Sequence, residues 1–433
     1  MKHSIFSNTI LAFGSLLTVQ TAVAQAPQPL PSAYTTAASN TIKVWDAKAP
    51  EANPNTLITR TVKDVQQSAQ YFDGLGRSIQ TVVKQGSLAT GANPTDMVSA
   101  VLYDAFGREQ FKYLPFVSTE NNGNFKLNPF QQQVAFYNTQ LSGQPGETNV
   151  GGNNLNWAYS KTVFEASPLS RVTATYAPGA NWVGSEGTAT PHSVQQKYWI
   201  NKTTDSVRIW TVTNVANSFG TYSSPGFYAA GSLYKTVTAD EHGKQVLEFK
   251  DKEGKVVLKK VQLTATADDG SGRGHTGWLC TYYMYDDLNN LRCVLQPRGV
   301  ELIAANWLLT DATILNEQCF RYEYDQRGRM IIKKVPGAGE VYMVYDTRDR
   351  LVMTQDANMR TGTVKWMYTL YDNLNRPIET GLWTNSTDAA THRSNAYNST
   401  SYPGLSGNWE VFSKTKYDDY TGLPAGLSAT YLT

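Results

Sequence analysis

Residues able to do chemistry are plentiful in this sequence, and their spacing decides what chemistry is open to them. Paired carboxylates stand at Asp268-Asp269 and Asp286-Asp287, the kind of pair that glycosidases use as acid and base. Both fall in segments that read as turns, where Asp is favoured because its carboxylate accepts backbone N–H groups. His3, His192, His242, His275 and His392 are scattered, and none stands at metal-ligand spacing from another. Gly404-Leu405-Ser406-Gly407-Asn408 stops one residue short of a nucleophile elbow. Gly270-Ser271-Gly272-Arg273-Gly274-His275 lacks the Lys-Ser/Thr that completes a phosphate cradle. Cys280, Cys293 and Cys319 match no zinc pattern, so buried thiols or one incidental bridge are expected. No catalytic, cofactor-binding or metal-binding residue is assigned, and no enzyme activity is expected.

One phrase does recur. An aromatic residue and Asp, followed after two positions by Gly, Asn or Asp and then by Arg or Asn, opens at Phe72-Asp73, Tyr103-Asp104, Tyr285-Asp286, Tyr324-Asp325, Tyr345-Asp346 and Tyr371-Asp372. Weaker copies stand at Asp240 and Asp251, and a slipped one at Tyr417-Asp418. Catalysis needs one assembled site, whereas a row of copies suits structural punctuation. Asp73, Asp104, Asp325, Asp346 and Asp372 are expected as turn acceptors, and Gly76, Gly107 and Gly328 as positive-φ residues. Arg77, Arg108, Arg329, Arg350 and Arg376 are expected as cross-turn partners. Each guanidinium should pair with its Asp and lie along the ring of its own turn's aromatic residue.

The elements that position these turns are strands. Val341-Tyr342-Met343-Val344-Tyr345 and its counterparts alternate as half-buried strands do, so each phrase closes a β-hairpin. The spacing between turns is too irregular for a propeller or a strict solenoid. Helical spacing around residues 130–140 and 300–315 predicts short helices between hairpins. The fold class is therefore mainly β, built of antiparallel hairpins with a few short helices. Asn- and Gly-rich stretches between about 117 and 160 predict long surface loops.

A chain of 433 residues, 41% apolar and 17% charged, is long enough and apolar enough to bury a sizeable core. A formal net charge of +2 gives no reason to expect nucleic acid or an anionic membrane as partner. Residues 1–24 combine Lys2, the apolar run from Ile10 to Val19 and Ala22-Val23-Ala24. They read as a secretory signal cleaved near Ala24, too short to span a bilayer. A secreted or cell-surface location without a membrane span is expected. Residues 25–39 read as a disordered leader, 40–182 as a β-rich N-terminal domain, and 183–433 as a hairpin sheet.

With its turns laid out, the chain resembles RHS/YD-repeat proteins of the secreted Gram-negative kind. The segments Tyr71 to Gln80, Tyr103 to Arg108, Tyr113 to Phe116 and Phe164 to Val172 resemble the N-terminal domain of unknown function that opens many such proteins. The resemblance implies hairpins wound into a spiral shell that can enclose a C-terminal toxin. The rest of such a shell, or its cargo, would be the partner. The self-cleaving core of complete members has Asp-Pro-x-Gly and Asn-x-Tyr-x-Tyr phrases that this sequence lacks. No cargo or releasing protease is expected of it. The expected role is a non-enzymatic secreted scaffold associated with toxin encapsulation or with inter-bacterial or surface interaction. The alternative is a glycan-binding or adhesin-like protein, with Trp199 and Trp210 as a stacking face.

Overall fold

The computed structural model describes residues 28–37, 40–89, 91, 93–140, 157–215, 217–263 and 271–417. Residues 1–24, expected as a secretory signal, the Asp268-Asp269 pair and the slipped phrase from Asp418 onward lie outside the described residues. The chain divides into two compact units. The first comprises the residues up to Gln196 with Ala239–Gly243, and the second comprises Lys197–Thr238 and the chain from Lys244. The division expected near Trp182 falls inside the first unit.

The first unit contains β1 (Asn40–Ala47), β2 (Val65–Phe72), β3 (Ser78–Ser87), β4 (Thr95–Ala100), β5 (Phe111–Tyr113), β6 (Phe116–Val117), α1 (Pro129–Thr139), β7 (Tyr159–Phe164), β8 (Val172–Tyr176) and the start of β9 (Val194–Ile200). Strands β1-β2-β3-β4-β6 form one sheet. A second ladder runs β5-β7-β8-β9, and every pairing is antiparallel. One core gathers Ala69, Tyr71, Val82, Val98 and Phe116. The other gathers Tyr113, Phe130, Trp157, Tyr159 and Tyr176. Residues 28–37, expected to be part of a disordered leader, are tied down. The Gln28 N–H donates to the Tyr159 hydroxyl at 2.8 Å and the Tyr34 N–H to the Leu127 carbonyl at 2.7 Å. The Tyr34 ring also meets Phe125 edge-on. The order comes from backbone groups that find partners and an aromatic ring that finds a core.

The second unit holds a separate hairpin, β10 (Arg208–Val215) and β11 (Ser218–Phe227). Its main sheet takes neighbours in chain order: β12 (Tyr234–Ala239), β13 (Gln245–Lys250), β14 (Val256–Gln262), β15 (Trp278–Tyr285), β16 (Leu291–Leu295), β17 (Cys319–Tyr324), β18 (Met330–Lys334), β19 (Val341–Tyr345), β20 (Leu351–Gln355), β21 (Lys365–Tyr371), β22 (Pro377–Thr384) and β23 (Trp409–Lys414). Alternation places the core. In β15, Trp278, Cys280, Tyr282 and Met284 are buried and the residues between them half-buried. One core joins these to Trp210, Tyr222, Leu247, Phe249 and Leu295. A second core joins Val344, Val352, Met353, Trp366, Tyr368 and Trp383 to α4 (Ala389–Tyr397). The helix expected over 300–315 is two helices, α2 (Pro297–Ile303) and α3 (Ala312–Glu317). Trp307 between them sits at φ +56°, which no α-helix carries, and Asp311 starts α3 afresh by accepting the Thr313 and Ile314 N–H groups.

Candidate functional site

The Asp turns recur along the chain, and at Asp73, Asp104, Asp325, Asp346 and Asp372 they share one geometry. At Asp346 the backbone N–H donates to the Arg350 carbonyl at 3.1 Å. Its Oδ1 accepts the N–H groups of Arg348 at 2.9 Å and Arg350 at 3.0 Å, and Oδ2 takes the Arg350 Nε–H at 2.7 Å. Asp73, Asp104, Asp325 and Asp372 repeat this set with Arg77, Arg108, Arg329 and Arg376. One carboxylate thus satisfies two backbone donors that the tight turn would leave open, and a guanidinium completes its coordination. The residue before Arg takes positive φ: +75° at Gly76, +78° at Gly107 and +72° at Gly328. Where it is not Gly it is Asp349 or Asn375, residue types that tolerate the left-handed region. The hydrogen bonds draw the carboxyl groups of Asp73 and Asp372 below the ordinary range, the Arg77 and Arg376 backbone N–H contributing most. At Asp104, burial pushes upward and the bonds from Arg108 and Phe106 outweigh it.

The aromatic partner is not the one expected. In the five Asp–Arg turns the guanidinium lies over the aromatic residue that opens the next phrase, and Arg108 also lies over Phe106 within its own turn at 4.9 Å. Arg77 covers Tyr103 at 4.5 Å, Arg108 covers Phe164 at 4.4 Å, and Arg329 covers Tyr345 at 5.2 Å. Arg350 covers Tyr371 at 4.9 Å and Arg376 covers Tyr417 at 4.3 Å. The hydroxyl of the following Tyr often returns to the residue just after the cation. Tyr103 donates to the Ser78 carbonyl, Tyr285 to Val256, Tyr371 to Leu351 and Tyr417 to Pro377. Arg329 and Arg350 also reach the carbonyls of Asp346 and Asp372 in the next turn. The guanidinium follows its Asp, which points it along the row of turns rather than back across its own hairpin. Each of these five turns is therefore locked by its own Asp and clamped onto the next phrase.

Gly107 sits inside one such clamp, since a Cβ there would lie 3.1 Å from Arg77 Nη1. Gly107→Val combines left-handed backbone with this contact and is expected to lower the unfolding free energy by about 1–3 kcal/mol. An unchanged melting temperature would contradict the turn geometry.

At Asp251 the cation is Lys255, which lies over Tyr285 at 5.7 Å, and two turns depart further from the pattern. At Phe164 the turn is longer, Glu165 replaces Asp, and Arg171 binds it through Nε at 2.9 Å and Nη2 at 2.8 Å. The Arg171 and Ser167 side chains hold the Glu165 carboxyl down at about 2. At Asp286 the arginine position is Asn290, and Arg292 two residues later supplies the charge. Arg292 is 2% exposed. It contacts Asp286 Oδ2 at 3.1 Å, both Glu323 carboxylate oxygens at 2.5 and 2.6 Å, the Tyr322 carbonyl and Asn214. The sequence pattern missed this residue, although an Asn in the arginine slot with an Arg two positions on was a visible signal.

Other buried cations were also missed. Lys126 meets Asp96, Glu120 and Asn122, while Lys235 meets Asp205 at 2.6 Å. Lys260 donates to the carbonyls of Asp205, Gly272 and Gly274. The three cysteines are buried free thiols, and burial pushes the Cys280 thiol up to about 11, against nucleophilic use. His275 and His392 are held neutral by burial, each drawn down to about 4. Of the two tryptophans offered as a stacking face, Trp210 is 8% exposed and packed in the core, and Trp199 is 41% exposed beside Lys197 and Lys235. They do not form one platform. Among the described residues, no group of three or more His, Cys, Asp or Glu is placed to hold a metal. Among them no helix is long and apolar enough to cross a membrane.

The model of a family described as a domain of unknown function, DUF6443, matches residues 43–196. The match falls on the segments that resemble the opening domain of RHS/YD-repeat proteins and, with the row of Tyr-Asp turns, supports an RHS/YD-type relationship. No curated protein matches the chain. Among solved structures it is similar to the TcdB2-TccC3 complex, at 15% identity and TM-score 0.44, over 75% of this chain and 13% of that one. It is similar to the Photorhabdus luminescens Tc holotoxin pore, also at 15% identity and TM-score 0.44, over 75% and 13% of the two chains. The chain therefore spans 13% of the length of these solved chains.

Proposed function

We propose that the protein is an exported, non-enzymatic structural protein, a wall segment of an RHS/YD-type shell. Its role would be to help enclose a toxin or to build a scaffold for inter-bacterial or surface interaction, with the rest of a shell or a cargo as partner. The observation that carries this reading is the forward-clamped row of turns. Its repeated chemistry is spent on joining hairpin to hairpin, as a wall requires, and the carboxylates of Asp73, Asp104, Asp325, Asp346 and Asp372 are each engaged by the arginine of their own turn. Export is supported by the signal-like residues 1–24. An antibody to residues 40–182, applied to fractions of the native host, should find the polypeptide outside the inner membrane, and a species confined to the cytoplasm would contradict the reading. Screens on glycan and peptide substrates should show no turnover. A hydrolytic activity lost on a single carboxylate substitution would overturn the non-enzymatic assignment.

A further inference from the structure

The buried Lys126 of the first unit sits in surroundings that do more than neutralise it. Its side chain is 0% exposed, as is that of Asp96. Nζ lies 2.8 Å from Asp96 Oδ2, 3.0 Å from Glu120 Oε2 and 2.9 Å from Asn122 Oδ1. The acceptors are themselves linked: Asn122 Nδ2 donates to Glu120 Oε2 at 3.1 Å, and the Asn124 backbone N–H donates to Asn122 Oδ1 at 2.9 Å. Gln80 fixes the lysine backbone from both sides, accepting its N–H at 2.7 Å and donating to its carbonyl at 3.0 Å. Around one amide carbon stand an amine, a buried base, a carboxylate touching both amine and leaving nitrogen, and a backbone N–H on the carbonyl oxygen. These are the parts of an acyl transfer.

We propose that Lys126 and Asn122 join in an intramolecular isopeptide bond with loss of ammonia. Asp96, fully buried and 2.8 Å away, takes a proton from the Lys126 ammonium. The amine lone pair attacks Cγ of Asn122, and the carbonyl π pair moves onto Oδ1, where the Asn124 N–H receives the developing charge. Glu120 carries a proton from the attacking nitrogen to Nδ2, the Cγ–Nδ2 bond breaks, and ammonia leaves with the proton held by Asp96. The sum is one ammonium and one primary amide in, one secondary amide and one ammonium ion out. No oxidant and no water are consumed. Asn122 is exposed and the Glu120 side chain is 45% exposed, so ammonia has a way out. Asn122-Gly123 would ordinarily deamidate through attack by the Gly123 nitrogen, but that N–H is held by Asp96 Oδ2 at 2.7 Å. The fixed backbone and buried amine favour the lysine.

The test is the intact mass and tryptic map of the full chain, kept folded until the mass is constant. The wild type should weigh one ammonia less than calculated and resist cleavage after Lys126. Glu120→Gln removes the relay at a partly exposed position, and Asn122→Ala removes the electrophile. Both should melt as folded proteins, carry their calculated masses and be cut after Lys126. A folded wild type at its calculated mass and cut after Lys126 would overturn the proposal, leaving a satisfied buried ammonium. Conversion of Asn122 to Asp would overturn it equally.

Discussion

Arg292→Met is expected to lower the unfolding free energy by about 3–5 kcal/mol, the usual consequence of removing one partner of a buried ion pair. The reason is what the substitution leaves behind. Asp286 and Glu323 are 8% and 5% exposed, and both turn their carboxylates onto Arg292. Burial already raises the Glu323 carboxyl above its ordinary range, with Arg292 the chief opposing influence. Without the guanidinium, two carboxylates would share a pocket closed to water, and the Tyr322 carbonyl and Asn214 would each lose a donor. Replacing Glu323 as well should recover part of the loss, since the stranded charge dominates it. Chemical denaturation of the single and double variants checks this. A single variant within about 1 kcal/mol of the wild type would show that Arg292 does not hold this corner together.

Acidification is expected to weaken the second unit between about pH 6.5 and 4. His392 is 1% exposed, wedged between Trp366 and Trp383, with Nδ1 2.6 Å from the Tyr402 hydroxyl. Burial draws it from its ordinary 6.5 to about 4, against an opposing pull from Asp388. The folded state thus favours the neutral ring, so the unfolded chain binds the proton first as pH falls. Stability is complete above about 6.5, declines toward about 4 and levels once the folded state protonates too. The shift corresponds to about 3 kcal/mol. His275, drawn to about 4 against Tyr282 and Trp307, acts in the same direction. In the first unit Glu165, held at about 2, has the carboxylate sign: its contribution is present above its ordinary 4.5 and is lost as pH falls toward 2. His392→Phe should reduce the pH dependence of the second unit's melting between 6.5 and 4 by roughly half, His275 supplying the remainder. A profile with the wild-type slope would show that the ring is not the titrating group.

What the sequence made legible was local. A turn of six residues needs an acceptor at its start, a residue tolerant of positive φ near its end and alternating strands on either side, and all three demands are met within a short stretch around Asp325 or Asp372. The clamps that join turns were not legible, because Arg350 and Tyr371 are brought together by the pairing of β20 with β21. The spacing of Arg350 from its own Tyr345 offers the wrong partner just as readily. Buried cations were hidden for a related reason. Lys126 and Asp96 are thirty positions apart, and nothing in a run such as Asn124-Phe125-Lys126 distinguishes a buried ammonium from a solvated one. The broken helix around Trp307 was lost for a third reason: helical spacing of apolar residues continued through a backbone conformation that spacing cannot register.

The central claim is that each turn is clamped to its successor, and a double-mutant cycle tests it most directly. Arg350→Met and Tyr371→Leu, singly and together, measure the coupling across neighbouring turns, while Arg350→Met with Tyr345→Leu measures it within one turn. The account predicts a coupling of about 0.5–2 kcal/mol for Arg350 with Tyr371 and none resolvable for Arg350 with Tyr345. Coupling to Tyr345 alone would contradict it, and would make each hairpin a self-contained unit with no clamp to the next.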